Sequence, residues 1–435
     1  FGSGSETNVW LDVTFDDATF SDDVTFRSGE FSYANFKNTA FEGDADFERT
    51  TFTDDATFED AVFEGVADFD EVVFDGDADF THTGFHGQAV FRGGEFRGGT
   101  NYIDDDAVFD ETVFGDDADF RDALFSSASF RDSAFEGSVD FTESEFTEEL
   151  HLRAASFGDR TYFNFTEATI NDGTITQPES GWIRFDMTKA TLGTVTLSAA
   201  DPTDRRELLD YFRICDTTFE GFDFAEHIDY LDRNDWNLHT FDDGGREYDF
   251  AVEMTPEIIE KTYLKAKNSA SAESNIKAAG EFRVKRQQFA RKKFVGIARD
   301  TTESTGSRIQ NFLRASENWF LGVSCGYGLR LYRIAFVFIV FPLFAGFLFA
   351  FGGDPFLTTR GDEIQLSSFD AVTTGDGLNK LLLSIYFSYI TFLTIGYGNI
   401  GPSGFGARFL AAALVYMNVI LAGLFLYALI KRSEV

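Results

Sequence analysis

Residues 41–80 read FEGDADFERTTFTDDATFEDAVFEGVADFDEVVFDGDADF, and their phenylalanines fall at 41, 47, 52, 58, 63, 69, 74 and 80, in alternating steps of six and five. Steps of five or six begin at Phe15, run on through Phe85, Phe91 and Phe96 to Tyr102, and resume from Phe109 to Phe146. A small residue stands two places before many of these aromatics, as at Ala45, Ala56, Ala67, Ala78, Ala89, Ala107, Ala118 and Ala128. An eleven-residue period also suits a right-handed coiled coil. Here, though, Gly43, Gly65, Gly76, Gly87 and Gly93 recur inside the period and strand-favouring Phe, Val and Thr dominate, so helix is the poorer reading. Such self-similarity marks a stack of repeats, each burying its apolar face on the next.

The chain has 435 residues with 73 acidic against 36 basic side chains, a net charge of −37. Residues 1–150 alone carry 39 acidic and 7 basic residues. Asp44, Asp46, Asp77, Asp79, Asp116, Asp117 and Asp119 are among them, and so dense an acidic charge fits a solvated, halophilic surface. A generic nucleic-acid binder needs basic surface and is excluded. Two widely separated cysteines, Cys215 and Cys325, read as buried small hydrophobes in a reducing compartment rather than a disulfide framework. His82 and His86 have the spacing of a helical metal pair, but a β-coil does not put them on one face. No Met opens the sequence and no charged segment leads an apolar one at the start, so a trimmed N-terminus and no signal peptide are expected.

Over roughly residues 13–150 this spacing resembles the pentapeptide-repeat family, and the domain is taken as residues 1–150. The resemblance implies a right-handed, four-sided β-helix of about 22 residues per coil, rising about 4.8 Å per coil as neighbouring strands do. It also brings an alternative, an acidic rod that mimics DNA toward topoisomerases. Residues 151–250 continue as degenerate coils and a cap, through Phe163, Phe165, Ile170, Ile175, Phe185, Leu192, Val195 and Leu197. A short helix, DRRELLDYF, is expected after Asp201-Pro202, and TTFEGFDF as a closing coil.

At Thr255-Pro256 the composition turns. Residues 255–300 read as a helical connector, with eight Lys/Arg against Glu281 between Lys277 and Arg299, suited to anionic lipid headgroups or to docking on the acidic rod. Residues 308–328 read as an amphipathic interfacial helix with Ile309, Phe312, Leu313, Phe320 and Val323 on one stripe. The string Gly322-Val323-Ser324-Cys325-Gly326 has the letters of a nucleophile elbow without its strand-turn-helix context, and no other catalytic constellation appears, so no enzyme is expected. Residues 331–351 and 408–430 are apolar enough to span a bilayer, with basic flanks at Arg330, Arg333, Lys431 and Arg432 that place both termini in the cytoplasm of a cell-membrane protein.

Between these spans, residues 379–398 read as a re-entrant pore helix followed by Thr394-Ile395-Gly396-Tyr397-Gly398. With Thr391 this matches the potassium-channel signature T-x-x-T-[VI]-G-Y-G. Backbone carbonyls of Thr394 to Tyr397 and the Thr394 hydroxyl can replace the water shell of potassium, and one loop per chain requires a homotetramer. The region resembles the two-transmembrane potassium channels of prokaryotes, and the whole chain is similar to the pentapeptide-repeat ion channels of haloarchaea. Three departures stand out: Asn399 where the family often has Asp, Ile390 where it often has Glu, and Asn418 where the inner helix commonly bends at Gly, with Gly423 five residues on. Tyr386 and Tyr389 are then the expected polar supports for Asn399 behind the filter. Asn418 is expected to face the cavity, with Leu414, Leu421 and Phe425 on the same face. The reading is a potassium-selective channel with a cytoplasmic β-helical domain that regulates or anchors it, an unidentified cytoplasmic regulator, and no cofactor beyond permeating potassium. A sodium or nonselective cation channel, or a membrane-tethered acidic scaffold, are the alternatives.

Overall fold

The computed structural model describes residues 8–10, 12–98, 106–159, 161–200, 207–239, 252–352, 357–359, 362–366, 369–396, 398 and 400–433. They form two compact units, Phe1–Ala290 and Arg291–Val435.

In the first unit, strands mostly of two or three residues pair in parallel with the strand one coil later. Ala34 pairs with Ala56 and Ala56 with Ala78, while Phe41 pairs with Phe63 and Phe63 with Phe85. The offset of two elevens makes this a β-solenoid. The alternation of steps has a physical cause in two kinds of corner. Five-residue steps turn through a left-handed residue, such as Asp60 (φ 58°), Glu71 (φ 54°) and His82 (φ 58°). Each of these turns is closed by a backbone hydrogen bond, from Ala61 N to Phe58 O at 2.9 Å and from Thr83 N to Phe80 O at 3.0 Å, with φ > 0 at the third position as a type II turn requires. Gly43, Gly65, Gly76 and Gly87 fall in six-residue steps, whereas Gly93 (φ 63°) takes the left-handed corner of a five-residue one. A Cβ on Gly87 would lie 2.3 Å from the Gly65 carbonyl oxygen of the coil beneath, so only glycine fits that close approach.

Inside, phenyl rings form columns. Phe36, Phe58 and Phe80 stack at 4.8 Å with 3° between planes, and Phe47 meets Phe58 edge-on at 5.6 Å. These rings are fully buried, each contributing about 1.5–3 kcal/mol by transfer from water. Buried threonines are satisfied across coils: Thr50, Thr83 and Thr112 donate to the carbonyls of Phe26, Phe58 and Phe80 at 3.0, 2.8 and 2.7 Å.

Two expectations are corrected here. Tyr102 itself lies outside the described residues, but the slot above Phe80 is filled by Phe109, which stacks on it at 4.8 Å, and Ala107 pairs with Ala78. That coil is 29 residues long, so seven residues are inserted and the next aromatic in register is Phe109. In the expected helix DRRELLDYF, the described residues hold one 3₁₀ turn, Leu208–Tyr211, followed by a strand at Phe212–Arg213. Phe212 pairs with Phe185 and stacks on it at 4.9 Å, and burial in the solenoid column overrides the local helix signal. Thr218–Phe219 then pairs with Thr191 and Leu192.

The late coils widen into longer parallel strands, Glu145–Phe157, Thr169–Gln177 and Thr191–Ala199. Beside them is a buried polar cluster in which Arg213 meets Asp186 at 3.3 Å and Thr188 at 2.6 Å, and the Tyr162 hydroxyl donates to Asp186 at 3.0 Å. Burial and the adjacent Asp186 carboxylate push the Tyr162 phenol far above its usual range.

Among the described residues, three helices close this unit: α1 (Ile228–Arg233), α2 (Pro256–Ala272) and α3 (Ile276–Arg299), whose last residues, from Arg291, belong to the second unit. α2 starts where the sequence says it should, because Thr255 caps the Ile258 N–H and Pro256 takes the first helical position. Phe282 packs on Phe224 and Trp236 at 4.8 and 5.5 Å, and Tyr263 on Phe289 at 5.7 Å. Ion pairs pin the helices down. Lys261 and Lys265 reach Asp216 at 3.0 and 2.6 Å, Lys277 reaches Asp232 at 2.5 Å, and Lys285 reaches Asp235 at 2.8 Å. Lys277 and Lys285, expected among the lipid-facing cations, therefore engage protein carboxylates.

The second unit contains α4 (Thr305–Cys325), α5 (Leu331–Phe351), α6 (Gly375–Phe392) and α7 (Phe405–Ser433). Two helical segments, Leu331–Phe351 and Phe405–Ile430, are long and apolar enough to cross a membrane; at 21 residues the first extends about 31 Å. The protein is thus a β-solenoid joined by helices to a two-helix membrane-spanning module. Antiparallel strands Leu357–Thr359, Asp362–Ile364 and Gly401–Pro402 form a small sheet flanking α6 and its following loop. The string 322–326 closes α4, with Ser324 Oγ donating to Phe320 O, and forms no strand-turn-helix elbow.

Candidate functional site

α5 and α6 pack closely. A Cβ on Gly346 would stand 2.7 Å from the Ile385 Cα, and Phe349 meets Phe387 edge-on at 5.1 Å. Pro342 lies inside α5, where a proline removes one N–H and crowds the preceding turn, weakening the partners of nearby carbonyls. Two hydroxyls of α6 reach this region: Tyr389 donates to the Ile339 carbonyl at 2.6 Å and Ser388 to the Pro342 carbonyl at 2.5 Å. Sequence reasoning did not single out Pro342 or Ser388. The signal was a proline in an otherwise uninterrupted apolar run.

α6 begins at Thr374, whose hydroxyl accepts the Gly377 N–H at 3.1 Å. Its other end shapes the loop. Ile395 N donates to Ile390 O at 2.9 Å and Thr394 N to Thr391 O at 3.1 Å, with Thr394 left-handed at φ 55°. This is the hydrogen-bond pattern of a Schellman cap, in which the left-handed position is usually glycine. Here a β-branched threonine stands in it, at a cost of about 1–3 kcal/mol. Gly396 follows, also left-handed at φ 67°, with open space where a Cβ would be.

In the single chain, Leu393, Thr394, Ile395, Gly396 and Gly398 are exposed, while Thr391 is half-buried and Ile390 buried. Tyr397 and Asn399 lie outside the described residues, so the expected contact of Tyr386 or Tyr389 with Asn399 falls there too. Of the two phenols, Tyr386 is exposed and Tyr389 gives its proton to α5.

On α7, Asn418 is half-buried. Leu414 and Leu421, expected beside it on a cavity-lining face, are instead buried in the protomer's own core with Ile334 and Phe349 of α5 and Phe387 of α6; Phe425 remains exposed. Helical spacing alone does not say which neighbour a face meets, and here the adjoining helices claim it.

Other clusters are occupied by the protein itself. Asp46, Glu48 and Asp68 bring carboxylate oxygens within 4.8 Å of one another, but Arg27 sits against Asp46 at 3.0 Å and also pairs with Glu48. Burial, with Asp46 and Asp70 close by, pushes the Asp68 carboxyl up. His82 lies 3.1 Å from Glu111 and His86 lies 3.0 Å from Glu64, so each pairs separately with an acid. Cys215 and Cys325 are buried free thiols.

Comparison with known families fits both units. Residues 9–51, 47–95 and 103–145 match the model described as pentapeptide repeats (9 copies), and residues 363–434 match that described as ion channel. The chain therefore carries a pentapeptide-repeat domain and an ion-channel family domain, an architecture of non-catalytic families. The second match takes in α6, its following loop and α7. No curated protein matches the chain.

Proposed function

We propose that this protein is a potassium-selective channel whose pore is built by four copies of the segment Leu331–Ile430. The observation that carries the reading is the loop Thr394–Gly398 leaving the end of α6, between two membrane-length helices, with Gly396 already left-handed. Alternating backbone handedness turns successive carbonyls to one side of a strand, and a ring of such carbonyls replaces potassium's water shell. Threonine at the left-handed Thr394 position supports the same reading, since strain retained where glycine would relax it points to a needed side chain. Residues 393–396 are exposed in one protomer, which supplies a single carbonyl per level; fourfold assembly encloses the ion. In this reading α6 and the loop form a re-entrant pore element, Thr391, Tyr386, Tyr389 and Asn399 support the filter, and Asn418 borders the cavity. The basic flanks put both ends of the chain, and the acidic solenoid, in the cytoplasm.

The test is electrical. Full-length protein reconstituted in planar bilayers, with potassium on one side and sodium on the other, should reverse near the potassium equilibrium potential. Reversal near zero would replace potassium selectivity with the nonselective reading, and absence of any single-channel current would leave the acidic scaffold.

A further inference from the structure

The last turns of α3 and the first four turns of α4 face each other across a groove of about 1080 Å³. Its walls are apolar, with Val295 and Ala298 on α3 and Ile309, Phe312, Trp319 and Phe320 on α4. Phe312, Trp319 and Ile309 are each more than half exposed, an unusual state for side chains of this size on a helix that also buries Asn311, Ala315 and Asn318. Three arginines, Arg291, Arg299 and Arg308, also line it. Arg308 donates to the Ala298 carbonyl at 3.2 Å, which bridges the two helices, and among the described residues none of the three has a carboxylate within ion-pair distance. Nearby Asp300 is turned to Thr302, accepting from its N–H and its hydroxyl at 2.8 and 2.7 Å. In a chain with twice as many acids as bases, three arginines that form no ion pair around an apolar slot, with Asp300 near Arg308 but hydrogen-bonded to Thr302, call for an anion joined to a hydrocarbon.

We propose that this groove is a binding site for one anionic phospholipid, its phosphate held by Arg291, Arg299 and Arg308 and an acyl chain lying along Ile309, Phe312 and Trp319. The volume suits a large amphiphile, just above the range of about 300–1,000 Å³ for small-molecule pockets. α4 leads through Gly326–Gly328 into the membrane-length helix α5, so the groove lies within reach of bilayer lipid. Guanidinium pairs with phosphate through two parallel hydrogen bonds, a short contact that survives concentrated salt better than distant attraction does. The basic residues nearer the start of α3 are excluded from this role because Lys277 and Lys285 pair with Asp232 and Asp235. The proposal rests on the membrane assignment and is independent of ion selectivity.

Trp319 provides the readout. The other three tryptophans, Trp10, Trp182 and Trp236, belong to the solenoid unit. Full-length protein is reconstituted in phosphatidylcholine vesicles containing a small fraction of either brominated phosphatidylglycerol or brominated phosphatidylcholine, and tryptophan quenching is titrated. Brominated phosphatidylglycerol should quench at a concentration at least about fivefold lower, the ratio that about 1 kcal/mol for a single basic residue represents. The quenching should vanish in Trp319→Phe, and the preference should vanish in the triple variant Arg291→Gln, Arg299→Gln, Arg308→Gln. Equal quenching by the two lipids in the wild type would overturn the proposal in favour of plain contact with bilayer. Absence of quenching by either would overturn it in favour of a groove covered by a neighbouring subunit or by another part of the chain. Both of these outcomes are read on the wild type and hold even if the triple variant misfolds.

Discussion

Single residues carry the sharpest consequences. Gly396 has φ 67°, a conformation that alanine adopts only under strain, although a Cβ there would meet nothing. The Gly396→Ala chain should therefore fold and assemble while losing potassium conductance by about five- to thirtyfold, since about 1–2 kcal/mol of left-handed strain pushes the loop away from the conducting geometry. Single-channel recording beside a cross-linking assay of assembly separates the two effects, and selective conductance in an intact variant would exclude this loop as the filter. Asp216 sets a different test. Burial alone would raise its carboxyl, but hydrogen bonds from Lys265 and Lys261 outweigh that and hold it below the ordinary range. Because the folded value is depressed, its stabilising contribution is complete above the unfolded value, about 3.9, and is lost as pH falls through the lower folded value. Asp216→Asn should cost about 1–3 kcal/mol at pH 7. The gap from the wild type should narrow only below about pH 4. Amide exchange of α2 followed against pH would show this.

At the scale of elements, α5 and α6 are joined where α5 is weakest. Pro342 disturbs the α5 ladder, and the hydroxyls of Ser388 and Tyr389 reach the carbonyls around it. Ser388→Ala and Tyr389→Phe remove those donors with little change of shape, so each should destabilise the membrane module by about 0.5–1.5 kcal/mol. The double variant should fall short of the sum, because the two bonds brace the same stretch of α5. Thermal unfolding in detergent measures both statements. The solenoid gives a second element-level test, because its unit of register is the coil. Deleting residues 57–78 joins Ala56 to Asp79 and removes one coil of 22, which should leave the fold intact. Deleting 57–70 puts Val72 in the slot of Phe58 and Phe74 at the left-handed corner held by Asp60, and the solenoid should unfold. Circular dichroism of the two variants would distinguish these outcomes.

On the scale of the whole molecule, charge dominates. All seven basic residues of the first 150 already pair with acids, among them Arg92 with Asp70 at 2.8 Å and Arg97 with Asp75 at 2.6 Å. The remaining carboxylates have no basic partner left in that segment and repel one another. Raising potassium chloride from about 0.1 to 1 M shortens the screening length from about 10 to 3 Å. The solenoid should then melt several degrees higher, and an unchanged or lower midpoint would show that self-repulsion is not what limits its stability.

Much of this was legible in the sequence because it depends on short-range repetition. The five-and-six spacing marked a stack of repeats, and its resemblance to the pentapeptide-repeat family implied the β-solenoid, the 22-residue coil and the inward phenyl rings, since residues one coil apart must stack wherever the period holds. Apolar length alone specified α5 and α7 as membrane helices, because a bilayer requires about 20 uncharged residues whatever the neighbours. Only the tertiary structure decided what depends on distant partners. Phe109 completes the column over Phe80, since a step of seven shows that the period breaks but not which aromatic takes up the register again. Phe212 joins a strand against Phe185, where burial outweighs helix propensity. Lys277 and Lys285 meet Asp232 and Asp235 while Arg291, Arg299 and Arg308 line a groove, a division invisible in a run of like charges. Leu414 and Leu421 turn into the protomer's core because a helix face takes its role from whatever packs against it.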